Sequence, residues 1–234
     1  MLGTIETAYK PIAPVDQSDL GFLLPADKDN YIRLDILLYV RGKLVSSSGN
    51  NVDASDHTCV TNHRLHSHFS QFTFVLNGTT ITQSSKHYNY RSYFETLLTN
   101  GTDASATHLT NAYWYRDTGD MMSCDPTTAN MTAVTNRGFI TCWDKLSTSK
   151  ELQLSERLHS DLFNVPLVFL PGVSLQIRLT KARPLFYMMS KKAVSKNTFN
   201  ILDPQLLVKR VKPDPVTPLV HTATLNTGLW HAIT

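Results

Sequence analysis

The clearest pattern along the chain is a strict alternation of apolar and polar residues over 173–180. The apolar positions are Val173, Leu175, Ile177 and Leu179. A period of two is typical of a β-strand with one buried face. The preceding Pro171-Gly172 favours a turn, because proline presets the second turn position and glycine supplies the positive φ of the third. The pattern therefore predicts a turn that leads into a half-buried strand.

A β-hairpin is predicted over 72–82, where Asn77-Gly78 separates two apolar-rich segments. Asn-Gly supplies the two positive φ values that a type I′ turn requires. Such a two-residue loop places Leu76 opposite Thr79 and Phe74 opposite Ile81. One face of the hairpin is then apolar and is expected to pack inward.

Weaker patterns predict further strands at 31–36, 38–45, around 186–189 and at 206–211. Pro213 ends the last one, because proline cannot donate a ladder hydrogen bond. Neither GxGxxG nor GxxxxGK[ST] occurs, and strands do not alternate with long helices, so a parallel α/β sheet is disfavoured. No repeat of 20 to 50 residues indicates a solenoid. The predicted fold class is all-β: an antiparallel jelly-roll sandwich with short helices inserted in long loops.

Two short helices are predicted in the long connections, at about 88–99 and 138–147. The apolar residues at helical spacing are Tyr90, Phe94 and Leu97 in the first helix, and Phe139, Trp143 and Leu146 in the second. Asn100-Gly101 favours the end of the first helix, and Asn136 is a suitable N-cap for the second. The segment between them, 117–135, is rich in turn-forming residues and is predicted to be an exposed loop.

Composition describes an ordinary globular chain of 234 residues, 41% hydrophobic and 18% charged, which is long enough to bury a core. The net charge of +3 is too small to indicate nucleic acid as the main partner. Basic residues concentrate in the C-terminal third: Lys181, Arg183, Lys191, Lys192, Lys196, Lys209, Arg210 and Lys212. Such clusters usually form solvated faces, so we expect at most non-specific binding of nucleic acid.

The widely spaced cysteines Cys59, Cys124 and Cys142 favour neither a disulfide framework nor a zinc knuckle, which is typical of an intracellular protein. The N-terminal residues lack the pattern of a signal peptide, and no apolar stretch is long enough to cross a bilayer. The sequence therefore predicts a protein that a signal peptide does not export and that has no membrane partner.

The most prominent candidate for metal binding is the group His63, His66 and His68. A metal site needs three or four converging ligands, and no carboxylate or cysteine stands at a matching spacing. A polar segment at the entry to a strand explains the histidines equally well. We therefore predict no metal ion and no cofactor.

No residue of the sequence is predicted to be catalytic. The chain has no G-x-S-x-G motif. Cys142 lies beside Trp143 on an apolar helix and is expected to be a buried apolar residue, because no cation is placed to lower its pKa. Asp117, Asp120 and Asp125 miss the spacing of a calcium loop and are interpreted as turn formers. The sequence thus predicts a protein that is not an enzyme.

The aromatic run Tyr113-Trp114-Tyr115, followed by Arg116, could form a stacking platform for bases or sugars. Consecutive aromatic residues cannot all face one side, so at least one is expected to anchor the core. The run leaves open an alternative function, a ligand-binding or receptor-binding β-sandwich in which 113–120 is the ligand loop.

A resemblance to a known family is carried by Asn89–Leu98 with Gly101-Thr102-Asp103. Further matching stretches are Thr7–Pro11, Phe72–Gly78, Leu158–Asp161 with Asn164, Leu170–Val173 and Gln205–Val211. In this order, and over nearly the whole chain, the sequence resembles the major capsid proteins of Polinton or Maverick elements and their adintovirus-like relatives.

The resemblance implies a structural protein of the double jelly-roll type, in which two eight-stranded sandwiches stand side by side and trimers form pseudo-hexagonal capsomers. It also implies minor capsid or penton proteins as partners, and a location in the virion or in the host nucleus or cytoplasm. Family members continue into a second jelly roll. We therefore expect residues 1–212 to be the N-terminal jelly roll and 213–234 a truncated connector or the start of a second domain. A truncated or endogenised copy would lack the second sandwich that a trimeric capsomer needs.

Overall fold

The computed structural model describes residues 3–15, 18–53, 55–82, 86–119, 136–164, 168–190 and 196–226. The strands are β1 (Gly3–Tyr9), β2 (Asp19–Leu24), β3 (Tyr31–Arg33), β4 (Leu37–Val45), β5 (Thr58–Val60), β6 (Phe69–Leu76), β7 (Thr79–Thr80), β8 (Leu152–Arg157), β9 (Val168–Phe169), β10 (Leu175–Lys181), β11 (Met188–Ser190) and β12 (Thr198–Lys212). The helices are α1 (Arg64–Ser67), α2 (Tyr88–Thr99), α3 (Thr102–Ala106), α4 (Arg137–Leu146), α5 (Pro184–Tyr187) and α6 (Val216–Asn226). Short 3₁₀ helices span His108–Ala112, Ser147–Ser149 and Asp161–Phe163.

Two antiparallel sheets form the body of the protein. The larger sheet has the strand order β8-β4-β12-β3-β9, and β1 also pairs with β12. The smaller sheet has the order β2-β10-β6-β7, and β11 pairs with β5 as a separate two-stranded unit. Buried side chains of both larger sheets join in one hydrophobic core. The predicted fold class, an all-β antiparallel jelly-roll sandwich with short helices in its loops, is confirmed.

The inner face of the smaller sheet is built from apolar rows that cross its three main strands. The rows are Leu24–Leu175–Leu76, Phe22–Ile177–Phe74 and Leu20–Leu179–Phe72. The three β10 members of these rows are fully buried. The alternation predicted for this strand is therefore confirmed, and the cross-strand rows are what fixes its register.

The predicted hairpin is present as β6 and β7. Asn77 and Gly78 have φ values of 46° and 82°, as a type I′ turn requires. Leu76 pairs with Thr79, and the Ile81 N–H donates to the Phe74 carbonyl over 2.9 Å. The predicted register is thus confirmed.

Strand β12 is much longer than the predicted 206–211. A bulge between Ile201 and Asp203 shifts the buried side chains from odd positions to even ones, and Pro204 follows within the strand. Both features hide a strand from a search for regular alternation. The strand predicted around 186–189 is confirmed only in its second half: helix α5 ends at Tyr187, and β11 begins at Met188.

The two predicted helices are confirmed as α2 and α4. Helix α4 begins behind Asn136, whose side chain accepts a hydrogen bond from the Phe139 N–H over 3.1 Å. Helix α6 was not predicted, since the segment after Pro213 shows no clear period. Its Pro218 lies in the first turn, where the missing N–H has no intrahelical partner to lose. Most of the predicted loop 117–135 lies outside the described residues, which include only 117–119 of it.

Candidate functional site

The outer face of α2 gathers exposed apolar side chains. The exposed large apolar residues of this helix are Tyr90, Tyr93, Phe94, Leu97 and Leu98. They make up one third of the fifteen such residues in the part of the chain that the structure describes. Contiguous exposed apolar surface of this kind usually marks an interaction site. The apolar stripe predicted for this helix thus points away from the core.

The inner face of α2 is polar although it is buried. Ser92 and Thr96 are fully buried, as are Tyr88 and Asn89. The Tyr88 hydroxyl lies 2.9 Å from His66 Nδ1, and the Thr96 hydroxyl lies 3.4 Å from His63 Nε2. The helix therefore packs against a polar histidine cluster, and Tyr88 of this face also stacks on an apolar core residue, Phe72.

The segment 63–68 leads directly into β6, in agreement with its interpretation as the entry to a strand. It forms the helical turn α1, and all three of its histidines are buried. His63, with a φ of 55°, stands at the N-terminal end of the turn. His63 and His66 lie on the same side of the turn, because residues three apart are neighbours on a helix.

His68 is separate from the other two histidines. Its Nδ1 lies 2.6 Å from an Arg64 guanidinium nitrogen. The guanidinium carbon of Arg64 lies 4.3 Å from the ring centroid of Tyr187 and 4.1 Å from that of Phe199. Burial lowers the pKa of Arg64 to about 9, and these aromatic faces offset part of the cost of burying its charge.

Two residues from a distant part of the chain complete the histidine cluster. Glu156 near the end of β8 and His159 just beyond it join His63 and His66, and one ligand atom of each lies within 4.8 Å of the others. The absence of a metal site remains a prediction. Its stated ground, that no carboxylate is suitably placed, is wrong. The signal in the sequence was the pairing of two i, i+3 motifs, His63-x-x-His66 and Glu156-x-x-His159.

The electrostatics of the cluster follow from its burial. Burial lowers the pKa values of His63 and His66 well below the usual histidine range, so both rings are neutral at physiological pH. Burial raises the pKa of Glu156. The hydrogen bond from His159 lowers the pKa of Glu95, on α2, to about 2. The cluster thus holds neutral imidazoles between two carboxyl groups.

The aromatic run is placed in the core, as predicted for at least one member. Tyr113 and Trp114 are buried and Tyr115 is partly buried. The Tyr113 hydroxyl donates to the Cys142 carbonyl over 2.6 Å. Trp114 and Arg116 also line one wall of a groove of about 310 Å³ beside α2 and α3. The segment 113–120, predicted as the ligand loop of the alternative function, therefore borders this groove at Trp114 and Arg116.

The other candidate residues from the sequence are cysteines, aspartates and members of the basic cluster. Cys142 is buried, as predicted, and both it and Cys59 are free thiols. Asp117 is partly buried, whereas Asp120, Asp125 and Cys124 lie outside the described residues. Arg210, counted in the basic cluster, is buried and forms an ion pair with Asp27.

Within the described ranges, no helix has the length and apolar character needed to cross a membrane.

The fold is similar to solved structures from viral particles. A chain in the cryo-EM structure of the Sputnik virophage matches with a TM-score of 0.56 and 11% identity, over 92% of this chain and 48% of that chain. The mavirus major capsid protein matches with a TM-score of 0.47 and 10% identity, over 91% and 47% of the two chains. The PBCV-1 virus capsid gives 0.46 and 11%, over 93% and 44%.

The similarity to the Sputnik chain establishes the fold alone, because so few residues are identical. The chain spans about half the length of the viral chain it matches, 48%. No protein-family model matches the sequence, and no curated protein matches it.

Proposed function

We propose that this chain is a structural, non-enzymatic capsid-type protein that assembles by packing against other subunits. The observation that carries the proposal is the jelly-roll sandwich. Over 92% of the present chain, it matches a chain of the Sputnik virophage structure. Capsid assembly requires shape and apolar contact rather than a reaction, which agrees with a sequence that lacks a catalytic motif.

The finer features implied by the sequence resemblance belong to this proposal. They are an origin in Polinton, Maverick or adintovirus-like elements, a location in the virion, and minor capsid or penton proteins as partners. The domain organisation is also proposed, with residues 1–212 as one sandwich of a double jelly roll. It is tested by sequencing the DNA beyond the codon for Thr234: a strand-rich segment in frame supports it, and unrelated sequence contradicts it.

The surface proposed to make subunit contacts is the outer face of α2. Burial of its apolar side chains against another subunit removes them from water without disturbing the sandwich, since they lie outside the core. The helix is also rigidly placed, because Tyr88 and Thr96 attach its inner face to the histidine cluster.

The proposal is tested by sedimentation and negative-stain electron microscopy of the purified chain over a wide concentration range. We expect association that grows with concentration and particles of defined size, because subunit contacts obey mass action. A chain that stays monomeric at every concentration, and also remains monomeric when joined to a second sandwich encoded downstream, would contradict the capsid function.

A second candidate function is supported by the groove of about 310 Å³ beside α2 and α3. Its size falls at the lower end of small-molecule sites, and its lining combines Tyr93 and Trp114 with the polar groups of Asn100 and Arg116. A binding module would use it for a sugar or a peptide. Binding on a glycan or peptide array that Arg116→Ala abolishes, in a strictly monomeric chain, would favour this function over assembly.

A further inference from the structure

We propose that His63, His66, Glu156 and His159 bind a Zn²⁺ ion that fastens the two sheets together at one end of the sandwich. The inference rests on the geometry of these four side chains and is independent of the proposed function.

The spacing of the ligand atoms suits one small cation. Atoms that bind a tetrahedral Zn²⁺ at about 2.0 to 2.1 Å lie about 3.3 Å from one another. Glu156 Oε2 lies 3.1 Å from His66 Nε2 and 3.8 Å from His63 Nδ1. The widest separation in the group is 4.8 Å. Binding of one ion therefore requires side-chain rotations that close the remaining gap of about 1.5 Å.

The four atoms that would bind the ion are among the eight buried side-chain nitrogen and oxygen atoms that have no hydrogen-bond partner in the described part of the protein. These four atoms are His63 Nδ1, His66 Nε2, Glu156 Oε2 and His159 Nε2. A buried polar atom without a partner is costly, and four that converge on one point are rare in a folded protein. One cation at that point would satisfy all four.

The opposite ring nitrogen of each histidine has a partner that fixes the ring. His66 Nδ1 lies 2.9 Å from the Tyr88 hydroxyl, and His63 Nε2 lies 3.4 Å from the Thr96 hydroxyl. His159 Nδ1 lies 3.3 Å from Glu95 Oε2. Outer partners of this kind orient metal-binding imidazoles and set their tautomers, and a carboxylate behind a histidine is a recurrent example.

Glu95 is itself held in place. The Asn164 side chain donates to its Oε1 over 3.0 Å, and Arg91 lies 3.9 Å from its Oε2. The three outer partners Tyr88, Glu95 and Thr96 all belong to α2 and share one face, at positions i, i+7 and i+8. The buried polar face of α2 is therefore the outer shell of the proposed site.

The charges balance around a divalent ion. Metal ions bind the neutral form of imidazole, and Glu156 with Glu95 can supply two negative charges. Three nitrogen ligands and one carboxylate oxygen suit Zn²⁺ better than Ca²⁺ or Mg²⁺, which prefer oxygen ligands only. Four protein ligands leave no open position for a substrate, so the ion is assigned a structural role.

The ligands connect distant parts of the fold. His66 lies in α1 and His63 is its N-cap residue, and α1 leads directly into β6 of the smaller sheet, whereas Glu156 lies in β8 at the edge of the larger sheet. An ion bound between them links segments about ninety residues apart, and it stabilises the folded chain because the four ligands come together only in that state.

The test uses the full chain without a histidine tag, purified from zinc-supplemented medium. We expect elemental analysis to find about one zinc per chain, and Co²⁺ exchanged for Zn²⁺ to show the visible absorption of a tetrahedral site. After chelation and dialysis, adding Zn²⁺ to a hundredfold excess over its Kd should raise the Tm by roughly 5 to 10 °C.

Matched variants separate the site from adventitious binding. His66→Gln and His159→Gln should lose the bound zinc and the zinc-dependent rise in Tm, whereas the exposed His87→Gln should keep both. Glu95→Gln removes an outer partner only and should weaken zinc binding by about 10- to 100-fold. A folded wild-type chain without zinc, whose Tm is the same with Zn²⁺ and with chelator, would overturn the proposal. Equal zinc content in wild type, His66→Gln and His159→Gln would overturn it as well.

Discussion

Replacing Phe94 and Leu98 by serine tests whether the outer face of α2 makes subunit contacts. Both side chains lie on the exposed side of the helix, with 54% and 81% of their surface accessible. The double substitution Phe94→Ser/Leu98→Ser removes apolar surface there and leaves the buried inner face of the helix unchanged.

The expected magnitude follows from the exposed fractions. Complete burial of a Leu or Phe side chain stabilises by about 1.5 to 3 kcal/mol. Scaled by the fractions still exposed, contact would gain about 0.8 to 1.6 kcal/mol from Phe94 and about 1.2 to 2.4 kcal/mol from Leu98. The sum, about 2 to 4 kcal/mol, corresponds to association weaker by about thirtyfold to several hundredfold. The fold itself should lose about 1 to 2 kcal/mol, because the parts of Phe94 and Leu98 that are already buried in the monomer are removed as well.

Sedimentation equilibrium measures the dissociation constant, and thermal unfolding checks that the variant monomer stays folded. Leu185→Ser is the matched control, because Leu185 is 86% exposed but lies on α5. We expect the control to associate like the wild type. If the α2 variant is folded and associates as tightly as the wild type, the face is not a subunit contact and the reasoning from exposed apolar area fails.

Three further predictions concern stability, measured by urea unfolding. Gly42→Ala should cost about 1 to 3 kcal/mol, because a Cβ there would lie 2.6 Å from the Asn200 carbonyl oxygen, whereas Gly3→Ala should be nearly neutral since its Cβ meets open space. Asn136→Ala should cost about 1 to 2 kcal/mol through loss of the cap of α4; an unchanged midpoint would contradict that role. Glu95 has its pKa lowered to about 2, from an ordinary value of 4.5, so the stability it contributes is present above about pH 4.5 and lost as the pH falls towards 2. In metal-free protein, wild type should therefore lose about 1 to 3 kcal/mol more than Glu95→Gln between about pH 5 and pH 2.5, and parallel curves would refute this.

The elements that could be predicted from the sequence are those fixed by neighbouring residues. The hairpin at Asn77-Gly78 depends on two φ values that these residues adopt readily, and the alternation in β10 records burial at every second position. Helix α4 has its cap and its stripe within ten residues. Strand β12 was predicted only in part. Its bulge forms where β12 pairs with β4, and Pro204 by itself is a signal against a strand.

The two i, i+3 motifs of the histidine cluster are visible in the sequence, but their meeting could not be predicted, because they come together only in the folded chain. His63 and His66 are separated from Glu156 by about ninety residues, and no local pattern indicates that β8 passes beside α1. The orientation of α2 was hidden for a related reason. A stripe of apolar residues at helical spacing shows that the two faces of a helix differ in polarity, but it does not show which face packs against the rest of the protein.

The polar inner face of α2 accounts for the outward orientation of its apolar face. A helix that turned Phe94 and Leu97 inward would bring hydrocarbon against His63, His66 and His159, and these rings would lose the hydroxyl and carboxylate partners that α2 now provides. The cluster therefore selects the polar face of the helix as its neighbour, and the apolar face must point outward. An apolar face that points outward is exposed to water, which is unfavourable. In the proposed assembly, a neighbouring subunit covers this face. In the proposed assembly, the buried cluster thus determines which residues of α2 face a neighbouring subunit.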